Sequence, residues 1–310
     1  MTKISFIVTV YNKQDYIRQC VESLIYHKLH YDAEIIIVND GSSDKSKSII
    51  ESLCIDYPEI VFLDQNNQGL SMARNNGTSI ATGDYIWFID ADDYISEDFI
   101  SEEVFMEEPD VLVLQSKWSD STVIRNKIDL KYSKGFEVLT DNNWCACAPF
   151  YIFRRSFLLK YNLQFVKGII HEDAEFTPRA LYLAKKLKII NKPLYIVFPA
   201  PNSITRSQGN YKRSTDIILI ASSLLQFEKE HKMRGREKKS FDSIIARFIN
   251  SGLRNVLLCT RKEQSDYNHL LSKKQEIIAA FWNSTKLKYK IEYLLFMLVR
   301  NYIKVFKMIN

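Results

Sequence analysis

The stretch Gly83-Asp84-Tyr85-Ile86-Trp87-Phe88-Ile89-Asp90-Ala91-Asp92-Asp93 decides how this chain is read. Tyr85 to Ile89 is an aromatic and β-branched run of the kind that forms a buried strand. It stops in three carboxylates within four residues, Asp90, Asp92 and Asp93. A strand end lets side chains leave a sheet and enter the crevice where open α/β folds hold ligands. Carboxylates packed together repel one another and are best tolerated around a cation. With oxygen donors only and no His or Cys alongside, the expected ion is a hard one, Mg²⁺ or Mn²⁺. The competing reading is an acidic loop in which Asp92 or Asp93 caps a helix over residues 96–105. A D-x-D pattern alone is too short to choose between the two.

The context upstream is more specific. Residues 4–10, 34–38 and 60–63 are short apolar runs, each followed by a helical pattern. Those patterns carry Ile17, Val21, Leu24 and Ile25, then Ile49, Ile50 and Leu53, then residues 70–81. Strand–helix alternation three times over predicts parallel strands joined by right-handed crossovers. Polar clusters follow the strands: Tyr11-Asn12, Asp40, and Asp90 with Asp92. Parallel strands bring all of them to one sheet edge, the expected place for a nucleotide. Asn12 and Asp15 have the spacing of a helix N-cap pair, and Asp44 is expected to cap its own helix.

After about Pro109 the pattern changes. Residues 111–115 and 189–198 read as strands, 124–132 as a polar insertion, and 144–153 as a buried stretch. His171-Glu172-Asp173 opens a helix running through Ala184. From Ser214 the chain reads as helical over 217–230, 241–258, 270–281 and 286–309.

Charge and cysteine usage narrow the class. The formal charge is +5, from 42 basic and 37 acidic residues. Six basic residues and one acid between Thr285 and Asn310 account for all of it. A charge confined to one tail is not the footprint of a nucleic-acid groove, and no nucleic-acid partner is expected. The five cysteines show no C-x-x-C pair or zinc spacing, which fits free thiols in a reducing cytosol. Met1-Thr2-Lys3-Ile4 leads straight into a strand, so no signal peptide is expected. No run reaches the ~18 apolar residues of a membrane span. The last helix, 286–309, interleaves basic and apolar residues. It reads either as an interfacial helix on an anionic membrane or as an ordinary amphipathic helix packed on the domain.

Four segments now stand in order: Val8-Thr9-Val10-Tyr11-Asn12, Val38-Asn39-Asp40-Gly41-Ser42-Ser43-Asp44, Asn67-Gln68-Gly69-Leu70-Ser71-Met72-Ala73-Arg74-Asn75-Asn76-Gly77, and Phe88-Ile89-Asp90-Ala91-Asp92-Asp93. Together they resemble family 2 glycosyltransferases of the bacterial surface-polysaccharide type, and Glu172-Asp173 resembles that family's downstream acidic pair. The resemblance covers roughly residues 1–205. It implies a GT-A fold: a Rossmann-like, mostly parallel α/β sheet with helices on both faces. Residues 1–206 are then the catalytic domain, with a nucleotide-sugar half to about 108 and an acceptor half from 109. Residues 207–310 form a helical C-terminal region.

The resemblance also assigns roles. Thr9, Tyr11 and Asn12 line the nucleotide, and Asp40 accepts a hydrogen bond from the uracil N–H. Arg74 approaches the base or the phosphates. Asp90 contacts the ribose and shares a divalent ion, Mn²⁺ or Mg²⁺, with Asp92. Asp173 is the catalytic base, Glu172 braces it or binds acceptor, and His171 reaches the diphosphate or the metal. Thr9 stands where the family usually has Pro. Arg206 takes the place of an arginine the family carries earlier, after the late strand. The implied reaction is inverting transfer from a UDP-sugar to a saccharide acceptor, held on a polyprenyl diphosphate at the inner face of the cell membrane. A nucleotidyltransferase is the second reading, but its Gly-rich basic loop is missing after the first strand. A non-catalytic saccharide-binding scaffold is the third, opposed by intact Asp90, Asp92 and Asp173.

Overall fold

The structure is a computed structural model that describes residues 2–28, 32–98, 100–141, 143–200 and 210–294. The chain divides into two compact units: Met1–Gly168 with Phe176–Ser203, and Ile169–Glu175 with Ile204–Asn310.

The first unit begins β1 (Lys3–Val10), α1 (Ile17–Lys28), β2 (Asp32–Asp40), α2 (Ser46–Asp56), β3 (Val61–Gln65), α3 (Leu70–Ile80) and β4 (Tyr85–Asp90). β1 is buried from Ile4 to Val10, as an apolar strand covered on both faces must be. It pairs in parallel with β2 on one side and β4 on the other, and β2 pairs in parallel with β3. α1 and α2 touch each other, while α3 crosses back over β2 and β1. Right-handed crossovers made in opposite directions put α3 on the face opposite α1 and α2. The reversal of strand order falls between β1 and β4. Thr9 is in register with Asp90, Val10 with Asn39, and Asp40 with Gln65. The polar strand ends therefore share one edge, at the point where open α/β sheets bind ligands.

The chain continues with β5 (Tyr94–Ile95), α4 (Glu103–Met106), β6 (Val111–Trp118), β7 (Ile124–Arg125), α5 (Gly135–Thr140) and a 3₁₀ turn at Ala148–Phe150. β8 (Tyr151–Arg154), α6 (Arg155–Lys160), α7 (Glu172–Leu183) and β9 (Leu187–Val197) follow. Among the described residues these form one nine-stranded sheet, ordered β3-β2-β1-β4-β8-β6-β9-β5, with β7 on β6. β8 runs antiparallel to both β4 and β6, so β6 and its parallel partner β9 run with β1. No helix spans 96–105: Tyr94 and Ile95 instead pair with Ile196 and Tyr195, and only Glu103–Met106 is helical there. The uncharged 144–153 stretch supplies the core, with Phe153 edge-on to Phe176 and Phe176 stacked on Phe165 at 4.0 Å.

The second unit is helical: α8 (Tyr211–Glu230), α9 (Gly235–Val256), α10 (Arg261–Ser272) and α11 (Gln275–Asn283). α8 packs on α9, and each buries an apolar stripe, Ile217, Ile220, Ala221 and Leu224 on one and Phe241, Ile245 and Ile249 on the other. The run read as one helix over 270–281 belongs to two, because the helix ends at Ser272 and the next begins at Gln275. Residues 287–294 are helical. The rest of the expected 286–309 helix lies outside the described residues. No described helix is long and apolar enough to cross a membrane.

Gly77 lets α3 lie close on the sheet. A Cβ there would sit 2.4 Å from Ile7 Cγ2 and 3.3 Å from Val38 Cγ2. Both partners are fully buried. Gly77→Ala is expected to cost about 1–3 kcal/mol, the usual cost of overpacking a filled core. Urea unfolding checks this; an unchanged midpoint would contradict the close approach.

Candidate functional site

The loops after β1 and β2 are stapled together. Asn12 adopts φ 52°, its side-chain oxygen accepts from Ser43 N at 2.8 Å, and its own N–H donates to Ser42 Oγ at 3.0 Å. It therefore ties two strand ends together and does not cap α1, as its spacing with Asp15 had indicated. Asp44 accepts from Ser46 N at 2.9 Å and from Gln14 N at 3.1 Å, so it too joins the loops. Tyr11, next to these anchors, is half exposed.

Asp40 is buried under the residue 66–69 loop. Its Oδ1 accepts from Gln68 N at 2.8 Å and from the Gln65 side-chain amide at 2.7 Å; its Oδ2 accepts from Gly69 N at 2.8 Å. A carboxylate has about four acceptor positions, so these bonds leave roughly one on Oδ2. Gly41 makes the fold-over possible: it has φ 70°, and a Cβ there would lie 2.7 Å from Asn67 N.

Arg74 is drawn into the interior by α3 and is 1% exposed. Its Nη2 donates to Asp90 Oδ1 at 2.9 Å, and its guanidinium lies over the Phe165 ring at 5.1 Å. Stacking on an aromatic face and pairing with a carboxylate are both favourable for this group. Arg74 is thereby tied to Asp90 at the end of β4. Asp92 is paired with Lys13 Nζ at 2.5 Å. Lys13 had no part in the sequence reading. Its signal was positional: it follows the end of the strand that lies beside β4.

Asp93 is a brace. Its N–H donates to Asp90 O at 2.9 Å and its Oδ1 accepts from Phe198 N at 2.8 Å. Burial, with Asp90 and Asp92 beside it, pushes the Asp93 carboxyl well above the usual carboxylate range. The buried Tyr195 hydroxyl accepts from Asp90 N at 3.1 Å. The buried Thr9 hydroxyl, level with Asp90, has no hydrogen-bond partner among the described residues.

Among the described residues no group of three or more His, Cys, Asp or Glu stands ready to hold a metal. A divalent ion of the Mg²⁺ type is commonly held by one or two carboxylates plus substrate phosphates. Asp90 and Asp92 are donors of the type that lesser requirement names, and each is paired here with a cation, Arg74 and Lys13.

The second acidic site belongs to the second unit. His171 has φ 67°, and its Nε2 accepts from Arg213 Nε at 3.1 Å. Burial, with the Arg213 guanidinium beside it, pulls the His171 imidazole down to about 4. Glu172 is buried and Asp173 half-buried, both in the first turn of α7. Arg206 lies outside the described residues. The structure thus brings together Thr9, Asn12, Asp40, Arg74, Asp90 and Asp92 in one unit, and His171, Glu172 and Asp173 in the other.

Comparison with known proteins now adds the class. The profile of Glycosyl transferase family 2 matches residues 5–161, and the chain belongs to that family. It is 31% identical over 225 residues to the uncharacterized glycosyltransferase YibD of Escherichia coli, covering 67% of this chain and 65% of YibD. It is 30% identical over 194 residues to the poly(ribitol-phosphate) beta-glucosyltransferase of Bacillus spizizenii, covering 60% of this chain and 31% of that protein. The matched stretch thus spans less than two thirds of either relative. Among solved structures, S. aureus TarS 1–349 in complex with UDP-GlcNAc superposes with a TM-score of 0.68 at 22% identity, covering 90% of this chain and 81% of that one. That likeness establishes the GT-A-like fold.

His171 gives this arrangement a pH signature. Its folded value, about 4, lies below its ordinary ~6.5. The unfolded chain therefore takes up the proton first, and stability is lost as pH falls from about 6.5 toward 4. The loss is expected to be on the order of 2–3 kcal/mol. His171→Gln, which keeps an acceptor for Arg213, should flatten that limb in denaturant titrations from pH 7.5 to 4.5. An equally steep limb in the variant would contradict the assignment.

Proposed function

We propose that this protein is an inverting glycosyltransferase that moves a sugar from a UDP-sugar to an acceptor hydroxyl. The observation that carries the reading is the strand-end cluster itself. Asp40, Asp90 and Asp92, with Arg74 and Lys13, converge where the strand order reverses. Family membership and the likeness to a TarS structure holding UDP-GlcNAc support the donor class.

In this reading the remaining acceptor position on Asp40 Oδ2 takes the imide N–H of uracil, a charge-assisted bond. The exposed Tyr11 ring offers a face to the base. The Thr9 hydroxyl gains the partner it lacks. Arg74 orients Asp90 toward the ribose. Asp92 with Asp90 would hold a Mn²⁺ or Mg²⁺ ion, which when bound stabilises the charge on the departing diphosphate. Asp173 takes the proton from the acceptor hydroxyl as that oxygen attacks the anomeric carbon. Inversion follows from a single in-line displacement with one base.

The acceptor is a saccharide of a cell-surface polymer, held on a polyprenyl diphosphate at the inner face of the membrane. The glucosyltransferase relative named for poly(ribitol-phosphate) supports a surface-polymer acceptor. Exposed Leu287, Ile291 and Leu294, at helical spacing in the basic tail, support peripheral membrane contact. Co-sedimentation of the full chain with anionic vesicles is expected to fall at least severalfold in a Leu287→Glu/Ile291→Glu double variant; unchanged recovery would reject this contact.

The activity is tested with a panel of nucleotide-sugars and a lipid-diphosphate saccharide acceptor, with and without Mn²⁺. UDP-sugar turnover should require the ion and fall about 10²–10⁴-fold in Asp173→Asn, the usual worth of a general base. Asp92→Ala should abolish this ion-dependent turnover. Full activity in both variants would overturn the site assignment.

A further inference from the structure

We propose that the first two turns of α8 form a clamp that positions Asp173, with Asp216 and Arg213 as its positioning residues. This rests on the reading of Asp173 as the base. Every contact involved lies within the second unit. The stretch 169–175, which carries Asp173, groups with the C-terminal helices and apart from the sheet.

Tethers reach that stretch on both sides of Asp173. Asp216 Oδ2 accepts from Ile170 N at 2.8 Å. Arg213 Nε donates to His171 Nε2 at 3.1 Å. Beyond Asp173, Ser223 Oγ donates to Glu175 Oε1 at 2.7 Å. Asp216 and Glu175 are buried, so breaking these bonds would strand charged acceptors away from water. Ala174 N donates to His171 O at 2.9 Å, closing the first helical turn around Glu172 and Asp173.

The clamp is itself anchored. Asn210 caps α8 by accepting from Arg213 N. Asn255 of α9 donates to Asn210 O and to Ser214 Oγ, both at 2.8 Å. Ser214 Oγ in turn donates to Gly252 O at 3.0 Å. Lys212, one turn earlier on α8, pairs with Asp216. The jaw that holds residues 170–171 is therefore fixed to the helix behind it.

Backbone strain gives a second, independent sign. His171 lies in the left-handed region at φ 67° without being glycine. Such a conformation is unfavourable for a residue with a side chain and persists only where its surroundings over-determine it. Here Asp216 fixes the peptide before it and Arg213 fixes its ring. The kinked residue sits two positions before Asp173 and sets the direction from which α7 begins.

A base must lie within hydrogen-bond reach of the proton it takes, and a misplacement of about 1 Å can cost 10²-fold in rate. Asp216→Ala and Arg213→Ala are therefore expected to lower kcat about 10- to 100-fold while leaving the KM for the UDP-sugar within about twofold. Asp216→Asn keeps an acceptor for Ile170 N, and Arg213→Lys keeps a donor. Both should recover most of kcat, and they serve where an alanine variant folds poorly.

The deciding experiment is a double-mutant cycle on the full chain, measuring transfer and, separately, UDP affinity. If Asp216 acts through Asp173, Asp216→Ala adds less than about twofold to the loss already caused by Asp173→Asn. Wild-type kcat in both alanine variants, or a full additional loss on the Asp173→Asn background, overturns the clamp. Wild-type kcat in Asp173→Asn itself overturns the underlying reading, and the clamp with it.

Discussion

The site depends on pairing Asp90 and Asp92 with cations from two different elements. Two like charges 4 Å apart near a protein surface cost about 4 kcal/mol. Asp90, Asp92 and Asp93 crowd into four residues, so the fold must supply compensation. Arg74 does so for Asp90 from α3, buried and stacked on Phe165. Lys13 does so for Asp92 from the loop after β1. Asp93 is accommodated differently: buried among its neighbours, it is pushed toward the neutral form and used as a brace. Three adjacent acids thus take different roles because three different environments surround them.

This arrangement links fold to function. The parallel pairing of β2, β1 and β4 brings Asp40, Thr9 and Asp90 to one edge, and the reversal of strand order opens a crevice there. Gly77 and Gly41 serve that geometry, the first by letting α3 approach the sheet and the second by letting the 66–69 loop close over Asp40. In the second unit the helices hold the segment bearing Glu172 and Asp173 through Asp216, Arg213 and Ser223. Under the proposed function, donor recognition resides in the first unit and the base is held by the second.

The parallel half of the sheet was legible in sequence, because continuous apolar runs alternating with helical periodicity have few other solutions. The strand-end residues were legible for the same reason, once parallel strands put their ends together. What could not be read were partnerships made across long separations. Lys13 and Asp92 are 79 positions apart, and a lone lysine has no local signature. β8 slots antiparallel between β4 and β6, a choice set by tertiary pairing that its apolar composition does not encode. Tyr94–Ile95 became an edge strand because Tyr195 and Ile196 were there to pair with it, which local helix signals after Asp93 could not anticipate. The ties of α8 to residues 170–175 were hidden likewise, since Asp216 and Arg213 look like ordinary helix-surface residues in the sequence.

The central claim is that a nucleoside diphosphate and its metal ion sit beyond the ends of β1 and β4. Paramagnetic broadening by Mn²⁺ tests it most directly, in isotope-labelled protein titrated with Mn²⁺ in the presence of UDP. The account predicts that amide signals of residues 9–13, 40–42 and 90–93 disappear first, while those of 106–109 and 185–188, at the opposite edge of the sheet, persist. Broadening centred on that opposite edge, or spread evenly over the protein, would contradict it.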